Sequence, residues 1–363
     1  MKTMKKYFLI LLLALIALSL GACSGRRIAA TGWSGITVKE ETVYFSYGPQ
    51  VYAINLQNGS QQWVYPLEAE NGVDFYAAPL FADNDSQLIA ASYDSNLYSL
   101  NPDNGQKNWS FEAAQNRLVA SPLITDQAIF VPSSDNNLYA VDFDGNSLWV
   151  FETEQPIWAT PSWSDSCGCI YLASMDHILY AVNPENGSQL WKSEDLGGPI
   201  VSQPVVSETG LILVSTFNNE ILALDEESHK VEWRYNTSDW AWASPVVDGE
   251  MVYASDLSGT FYALELETGK LVWHLQPGGN IVSAPLVLDD QIYFSTVTKD
   301  TSSLVVASKE GVIQRNQPIG GKLYASPASG GETILLAPSE AEFFLIGLNQ
   351  SGVQVWGYPP AKE

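Results

Sequence analysis

The sequence predicts an all-β protein, an eight-bladed β-propeller of four-stranded antiparallel blades. Three observations favour this fold. Three columns of residues recur in phase, and each recurring unit holds four short apolar–polar alternations of the kind that form strands. No stretch after residue 22 has the apolar period of an amphipathic helix. Four-stranded units of this length are typical of propellers, whereas the alternative, a β-solenoid, usually has shorter repeats.

The three columns recur about 42 residues apart. The first is a small-small-Pro signature with prolines at Pro79, Pro122, Pro161, Pro204, Pro245, Pro285 and Pro327, preceded by the degenerate copy Ser34-Gly35-Ile36. The second is tryptophan, replaced once by arginine, at Trp63, Trp109, Trp149, Trp191, Trp233, Trp273, Arg315 and Trp356. The third is a turn glycine four residues before each of these positions, replaced by His229 in the fifth unit. Columns in phase predict one unit repeated eight times.

The sixth unit shows how each blade is assembled. Its four segments are Ser244–Val247, Met251–Ser255, Thr260–Leu264 and Lys270–His274, separated by glycine-containing turns suited to hairpins. We expect the proline-bearing strand to lie nearest the axis, where the blades converge and side chains must be small. We expect the tryptophan strand to be outermost, with each indole packed on the neighbouring blade.

The first 22 residues predict an export signal. Lysines precede an apolar run over residues 7–20, which is too short for a spanning helix. The boundary Leu20-Gly21-Ala22-Cys23 resembles a bacterial lipobox, which implies cleavage before Cys23 and a diacylglycerol anchor on its thiol. An ordinary signal with an incidental cysteine is the alternative. We therefore expect a signal peptide (1–22), a lipidated cysteine with a short tether (23–32) and a propeller (33–363), exported and held on the periplasmic or extracellular side of a membrane.

Charge excludes several classes of partner. The 363 residues include 17 Lys and Arg against 41 Asp and Glu, a formal net charge of −24. A general nucleic-acid binder needs a basic surface, so no nucleic-acid partner is expected. The same charge opposes binding of the propeller body to anionic lipid. The many aromatic residues exclude a disordered chain.

The cysteines and histidines offer little for catalysis. Cys167 and Cys169 flank one glycine and could form a disulfide, remain free thiols or supply half of a zinc site. His177, His229 and His274 occupy non-equivalent positions in three units, so we expect them not to converge. We therefore predict no catalytic residues and no metal.

A ring of aromatic residues is the most informative candidate site. The residue just before the small-small-Pro signature is aromatic in five units, at Trp33, Tyr76, Trp158, Trp242 and Tyr324. The hairpin between the second and third strands opens on the same face and carries an acid in four units, at Asp94, Asp135, Asp176 and Asp256. One hypothesis is a funnel with aromatic platforms and an acidic rim that binds a cationic or extended peptide, or a sugar. The other is that the rings pack between blades and the acids cap their own turns.

The segment Ala263–Trp273, Ala-Leu-Glu-Leu-Glu-Thr-Gly-Lys-Leu-Val-Trp, resembles the repeat of pyrroloquinoline-quinone (PQQ) enzymes, Ala-x-Asp-x-x-Thr-Gly-x-x-x-Trp. Ala181–Trp191 and Ala53–Trp63 are similar, with Asn at the Asp position. Quinoprotein dehydrogenases share this repeat and add long insertions, calcium ligands and a disulfide of adjacent cysteines. Here Gly168 separates the two cysteines, and the blades carry almost nothing else.

The lipobox, the length and the near-bare blades also resemble the BamB family, lipid-anchored propellers of the bacterial β-barrel assembly machine. This resemblance implies a non-catalytic, monomeric scaffold that binds an envelope protein partner and needs neither PQQ nor calcium. A PQQ-dependent oxidoreductase and a surface module that binds polysaccharide or peptide are the alternative functions.

Overall fold

The computed structural model describes residues 35–359, which contain 32 β-strands in eight antiparallel sheets. The strands of the first four sheets, blades 1 to 4, are β1 (Ile36–Lys39), β2 (Thr42–Tyr47), β3 (Gln50–Asn55), β4 (Gln61–Tyr65); β5 (Leu80–Ala82), β6 (Gln87–Ala91), β7 (Leu97–Leu100), β8 (Lys107–Phe111); β9 (Leu123–Ile124), β10 (Ile129–Pro132), β11 (Asn137–Val141), β12 (Ser147–Glu152); and β13 (Ser162–Ser164), β14 (Cys169–Ala173), β15 (Leu179–Val182), β16 (Gln189–Lys192).

The strands of blades 5 to 8 are β17 (Val205–Val206), β18 (Leu211–Thr216), β19 (Glu220–Asp225), β20 (Val231–Asn236); β21 (Val246–Asp248), β22 (Met251–Ser255), β23 (Phe261–Glu265), β24 (Leu271–Leu275); β25 (Leu286–Leu288), β26 (Gln291–Val297), β27 (Ser302–Ser308), β28 (Ile313–Ile319); and β29 (Ala328–Gly330), β30 (Thr333–Leu336), β31 (Leu345–Leu348), β32 (Gln354–Tyr358). Every sheet pairs its four strands in chain order. The prediction of an eight-bladed propeller is confirmed.

The first strand of each blade lies nearest the axis. β1 contacts β29, β5 contacts β9, and β13 contacts β17. The middle strands are buried on both faces, whereas outer strands such as β12 and β28 alternate between exposed and covered residues. The hydrophobic core is therefore a series of clusters between neighbouring sheets.

Indole-on-glycine contacts join one blade to the next. In the first joint the Trp63 ring lies on the turn of Gly105 in the next blade, where a Cβ at position 105 would come within 2.5 Å of the indole. The indole Nε1 also donates a hydrogen bond to Pro102 O at 2.7 Å. Gly105 has a φ of 70°, which glycine adopts without strain. Gly105 therefore has two roles: it allows the turn, and because it has no side chain it lets the indole of Trp63 pack directly on the backbone.

A bulge in every blade positions this tryptophan. In blade 1 the pairing of β3 with β4 is regular until Ala53, which lies opposite Trp63, and then shifts register at Ile54. The same shift occurs at the equivalent place in the other seven sheets. A bulge bends and twists the outer strand locally. A small residue beside it leaves room for the indole.

Two joints depart from this pattern. At the joint of blades 4 and 5, His229 takes the glycine place with a φ of 61°, and its imidazole stacks on Trp191 with ring centroids 4.4 Å apart. At the joint of blades 7 and 8, Arg315 replaces the indole, and its Nη1 donates to Gln350 O at 3.1 Å. The Arg315 Nε is buried without a hydrogen-bond partner. An unpaired buried donor costs free energy, so this joint lacks part of the stabilisation that the others have.

The ring closes by packing, because blades 1 and 8 are each complete in chain order. Trp356 Nε1 donates to Leu56 O at 2.8 Å, which repeats the joint seen elsewhere. Tyr47 and Phe344 stack across the same boundary with centroids 4.3 Å apart. The ends of the ring are thus held by the same contacts as its interior.

We predict that Arg315→Trp in a Val306→Ala background stabilises the protein by about 1 kcal/mol, because the indole would cover Gly352 and remove the unpaired Nε. The alanine provides the small residue that lies opposite the tryptophan in the other blades, where Val306 now lies. The measurement is urea unfolding followed by intrinsic fluorescence. The converse variant Trp273→Arg serves as the matched control, and we expect it to lower the free energy of unfolding by about 3 kcal/mol. A loss of stability from Arg315→Trp in that background would contradict this account of the joints.

Candidate functional site

A central channel runs along the axis and contains a cavity of about 320 Å³. Its wall is built from the first strands and the residues that lead into them. The residues just before the small-small-Pro signatures line it together, namely Tyr76, Val119, Trp158, Val201, Trp242, Val282 and Tyr324. Four of the five aromatic residues that we predicted as a ring are thus brought to one channel. The fifth, Trp33, lies outside the described residues.

Three of these rings, Tyr76, Trp158 and Trp242, also have a partner in a hairpin between second and third strands. Tyr76 contacts Tyr93 edge-on with centroids 4.4 Å apart, and the Arg117 guanidinium lies 5.6 Å from the Tyr93 ring. Trp158 donates from Nε1 to Ser134 Oγ at 3.1 Å. Burial, together with the nearby carboxylate of Asp74, raises the pKa of Tyr76 to about 12. The rings are therefore partly structural while they line the channel.

Blade 5 and the linker to blade 6 add a stack that the sequence analysis missed. Phe217 stacks between Trp242 and Trp240, with centroids 4.9 Å apart on each side. Trp240 remains 46% exposed, so part of its indole is open to solvent. The sequence does contain a signal for Trp240. It lies five residues before Pro245, and Arg117 lies at the same distance before Pro122. The predicted ring contains only the residue directly before each signature, which at this place is Trp242.

Three of the predicted rim acids bond to their own blades, and Asp135 and Asp176 also each accept a backbone amide of the preceding linker. A tyrosine of the third strand donates its hydroxyl to each carboxylate, from Tyr98 to Asp94 at 2.6 Å, from Tyr139 to Asp135 at 2.8 Å and from Tyr180 to Asp176 at 2.8 Å. Each carboxylate also accepts a backbone N–H of its own hairpin. These bonds are what the turn-capping hypothesis describes.

Asp256 differs from the other three acids. It is fully buried and accepts hydrogen bonds from the Tyr262 hydroxyl at 2.7 Å and from the Ser238 amide at 2.8 Å. It lies six residues before its tyrosine rather than four, directly after β22. Asp256 therefore adds no exposed carboxylate to a rim.

The remaining chemistry-bearing residues lie apart from the channel. The structure joins Cys167 and Cys169 by a disulfide at the hairpin of β13 and β14, with Cys167 exposed and Cys169 buried. His177 contacts Asp195 through Nδ1 at 3.1 Å, on the opposite end of that blade. Within residues 35–359, no group of three or more potential ligands could hold a metal ion.

The joint of blades 4 and 5 also contains a buried carboxylate, Glu226. It accepts the Tyr171 hydroxyl at 3.0 Å and the hydroxyl of Ser164. Burial raises the pKa of Tyr171, and its hydrogen bond to Glu226 adds to this effect. Both oxygens that reach Glu226 belong to blade 4, so this carboxylate helps to bind blade 5 to blade 4.

The anchor predicted at Cys23 lies outside the described residues. In the part of the chain that the structure describes, no helix has the length and apolar character needed to span a membrane.

The fold and the channel define a β-propeller built from PQQ-type repeats. The family model described as outer membrane protein assembly factor BamB matches residues 78–166, 175–279 and 247–361. The chain belongs to this family.

Individual relatives are distant. The chain is 24% identical to the outer membrane protein assembly factor BamB of Shewanella oneidensis over 53% of this chain and 40% of that protein. It is 25% identical to the tetrathionate hydrolase of Acidithiobacillus ferrooxidans over 36% of this chain and 32% of that protein. These alignments span less than half the length of either relative. The crystal structure of BamB from Moraxella catarrhalis superposes with a TM-score of 0.71 at 16% identity, covering 84% of this chain and 93% of that one.

We predict that the propeller loses stability between pH 10 and about 12. Burial raises the pKa of Tyr52, Tyr139 and Tyr253 to about 12, from an ordinary value of 10.0. Below pH 10 these phenols are protonated in both folded and unfolded chains, so their stabilisation is complete. Above pH 10 only the unfolded chain releases the protons readily, so the free energy of unfolding falls as pH rises.

Urea unfolding at a series of alkaline pH values measures this decline. Tyr139→Phe removes one titrating phenol, and we expect it to make the decline shallower while lowering stability at neutral pH, where Asp135 loses its donor. An unfolding free energy that stays constant up to pH 12 would show that these tyrosines are not held in their protonated form.

Proposed function

We propose that this protein is a non-catalytic scaffold of the bacterial cell envelope that presents a rigid propeller to a protein partner in outer-membrane protein assembly. The observation that carries the proposal is the match of the BamB family across the blades, from residue 78 to residue 361. We further propose that diacylglycerol on Cys23 anchors the propeller, because one acyl chain binds membranes only marginally while two hold firmly.

The lining of the channel supports a binding role. The residues around the cavity are small, hydroxyl-bearing or aromatic, as in Ala77, Ser202, Ser244 and Trp158. Among the described lining residues there is no carboxylate, imidazole or thiol that could act as a general acid, base or nucleophile. The proposal therefore includes neither PQQ nor calcium and no turnover.

The joints between blades support a scaffold in particular. Six of the eight interblade joints combine an indole ring, a turn glycine and a hydrogen bond, as in Trp63 with Gly105 and Pro102. The eight joints, closed into a ring, hold the hairpin loops at fixed spacing. A partner therefore meets a surface that needs little ordering on binding, which reduces the entropy lost in association.

An enzyme is the second candidate function, favoured by the relative named tetrathionate hydrolase. The channel cavity of about 320 Å³ is at the small end of the range for ligand sites. An enzymatic role would place a small substrate or cofactor there, whereas the scaffold role relies on the loops around it.

We predict that Cys23→Ser releases the protein from the membrane fraction, because the serine hydroxyl cannot take the place of the lipidated thiol. Fractionation of cells followed by immunoblotting measures this change. Cys167→Ser is the control, which should leave the protein with the membranes. Retention of Cys23→Ser on membranes would contradict the anchor.

We predict that a photo-crosslinking residue in a loop of the propeller captures an envelope protein that assembles outer-membrane β-barrels. Position 95, in the hairpin of β6 and β7, samples the channel-mouth face, and position 249, in the hairpin of β21 and β22, samples the opposite face. We expect the crosslinker to capture an envelope protein from one face and not from the other. We also expect lower levels of outer-membrane barrels in a strain that lacks this protein.

Three results would contradict the scaffold. Capture of no envelope protein from either face, with normal barrel levels in the deletion strain, would remove the assembly role. Hydrolysis of tetrathionate by the purified protein would favour the enzymatic candidate. A bound chromophore and alcohol-dependent dye reduction after addition of PQQ and calcium would favour a quinoprotein oxidoreductase.

A further inference from the structure

Two equivalent places at the channel mouth carry complementary chemistry. In blade 2 and its linker, the aromatic ring of Tyr93 is faced by the Arg117 guanidinium at 5.6 Å. In blade 5 and its linker, the ring of Phe217 is faced by the indole of Trp240 at 4.9 Å, with planes 9° apart. Arg117 and Trp240 both lie five residues before the proline of the following blade. The ring in blade 2 is thus covered by a cation, whereas the ring in blade 5 is covered by a second aromatic ring, that of Trp240.

In the described part of the chain, no lysine or arginine lies over the Trp240 indole. Phe217 covers one face of the indole, and Trp240 is 46% exposed. Among residues 35–359, the lysines and arginines found over aromatic rings lie at Phe81, Tyr98 and Tyr93. A large exposed aromatic surface at the mouth of a channel is suited to a ligand.

The charges around Trp240 favour a cationic ligand. Asp239 precedes it, and an oxygen of its carboxylate accepts the Trp240 amide at 2.8 Å. In blade 5 the guanidinium of Arg234 is already paired with Glu220 at 2.8 Å. The chain as a whole has a net charge of −24. A cation over an indole gains from the ring quadrupole and from this negative field together, whereas a neutral sugar gains nothing from the field.

We propose that Trp240, stacked on Phe217, which itself stacks on Trp242, binds an arginine or lysine side chain of an extended basic segment in a partner protein. The cation lies on the open part of the Trp240 indole, in the arrangement that Arg117 and Tyr93 already make within the chain. The inference deepens the proposed function and rests on it for the statement that the partner is a protein. The sequence-based hypothesis of a cationic or extended peptide is thereby restricted to one platform.

The test is calorimetric titration of the full-length protein in detergent with a blocked Gly-Arg-Gly-Arg-Gly peptide. The same peptide with citrulline in place of arginine is the matched ligand control, because citrulline keeps the shape and hydrogen-bonding plane without the charge. We expect the arginine peptide to bind and Trp240→Ala to weaken it by about two- to fivefold. Trp240→Arg, which recreates the Arg117 arrangement, should weaken binding more strongly through charge repulsion.

Trp163→Ala is the control for removing a partly exposed indole, since Trp163 lies in β13 and bonds to Asp165 rather than to the channel-mouth stack. Unchanged affinity in Trp240→Ala, or equal binding of the citrulline peptide, overturns the proposal. Displacement of the arginine peptide by neutral oligosaccharides also overturns it and indicates a sugar site.

The two proposals fail in different ways. If Trp240→Ala does not alter peptide binding while the loops still capture an envelope protein, the scaffold function stands and this platform is not its cation site. If the peptide binds at Trp240 but no envelope protein is captured, the platform stands and the assembly role is wrong. Thermal unfolding of each variant checks that the ring remains closed.

Discussion

The contact of an indole with the turn glycine of the next blade is the interaction on which the rest of the structure depends. A blade of four short strands cannot bury its faces alone, so its stability comes from its neighbours. The glycine allows a left-handed turn and, having no side chain, lets the ring pack against the backbone, as Gly145 does for Trp109. Repeated around the axis, this contact sets both the spacing and the tilt of the blades. The ring closes because the last joint is built like the others.

Convergence at the axis imposes the second constraint. The first strands approach one another closely, so only small residues fit along most of the channel, as at Ala78 and Ser121. One position before each signature the chain leaves the crowded zone, and large rings such as Trp158 can be accommodated. The aromatic mouth is thus a consequence of ring geometry as much as of any ligand. What remains exposed after packing, above all Trp240, is the part available for recognition.

Much of this could be predicted from the sequence, although with clear limits. Hairpin turns and strand alternation are local, so the eight units and the places of Trp63 or Gly105 followed directly from the repeat. In the sixth unit the predicted segment Met251–Ser255 is identical to β22, and the other three differ from β21, β23 and β24 by one or two residues, because strand ends depend on pairing with the neighbouring strand. Asp256 was predicted as a rim acid because, like Asp94, Asp135 and Asp176, it lies in the hairpin between the second and third strands of its blade. Asp256 instead lies directly after its second strand, where its side chain is buried, whereas the other three acids lie three residues after theirs.

The sequence by itself determined the unit, its number and the order of its strands, because each is encoded in residues that recur at a constant spacing. Only the tertiary structure decided which side chains meet at the mouth. Trp240 and Trp242 lie at fixed positions before Pro245, but Phe217 comes from the hairpin of β18 and β19, and the sequence does not show that its ring lies between them. They stack because the linker from blade 5 to the first strand of blade 6 passes over the β18–β19 hairpin of blade 5 as it returns to the axis. That placement is a property of the closed ring.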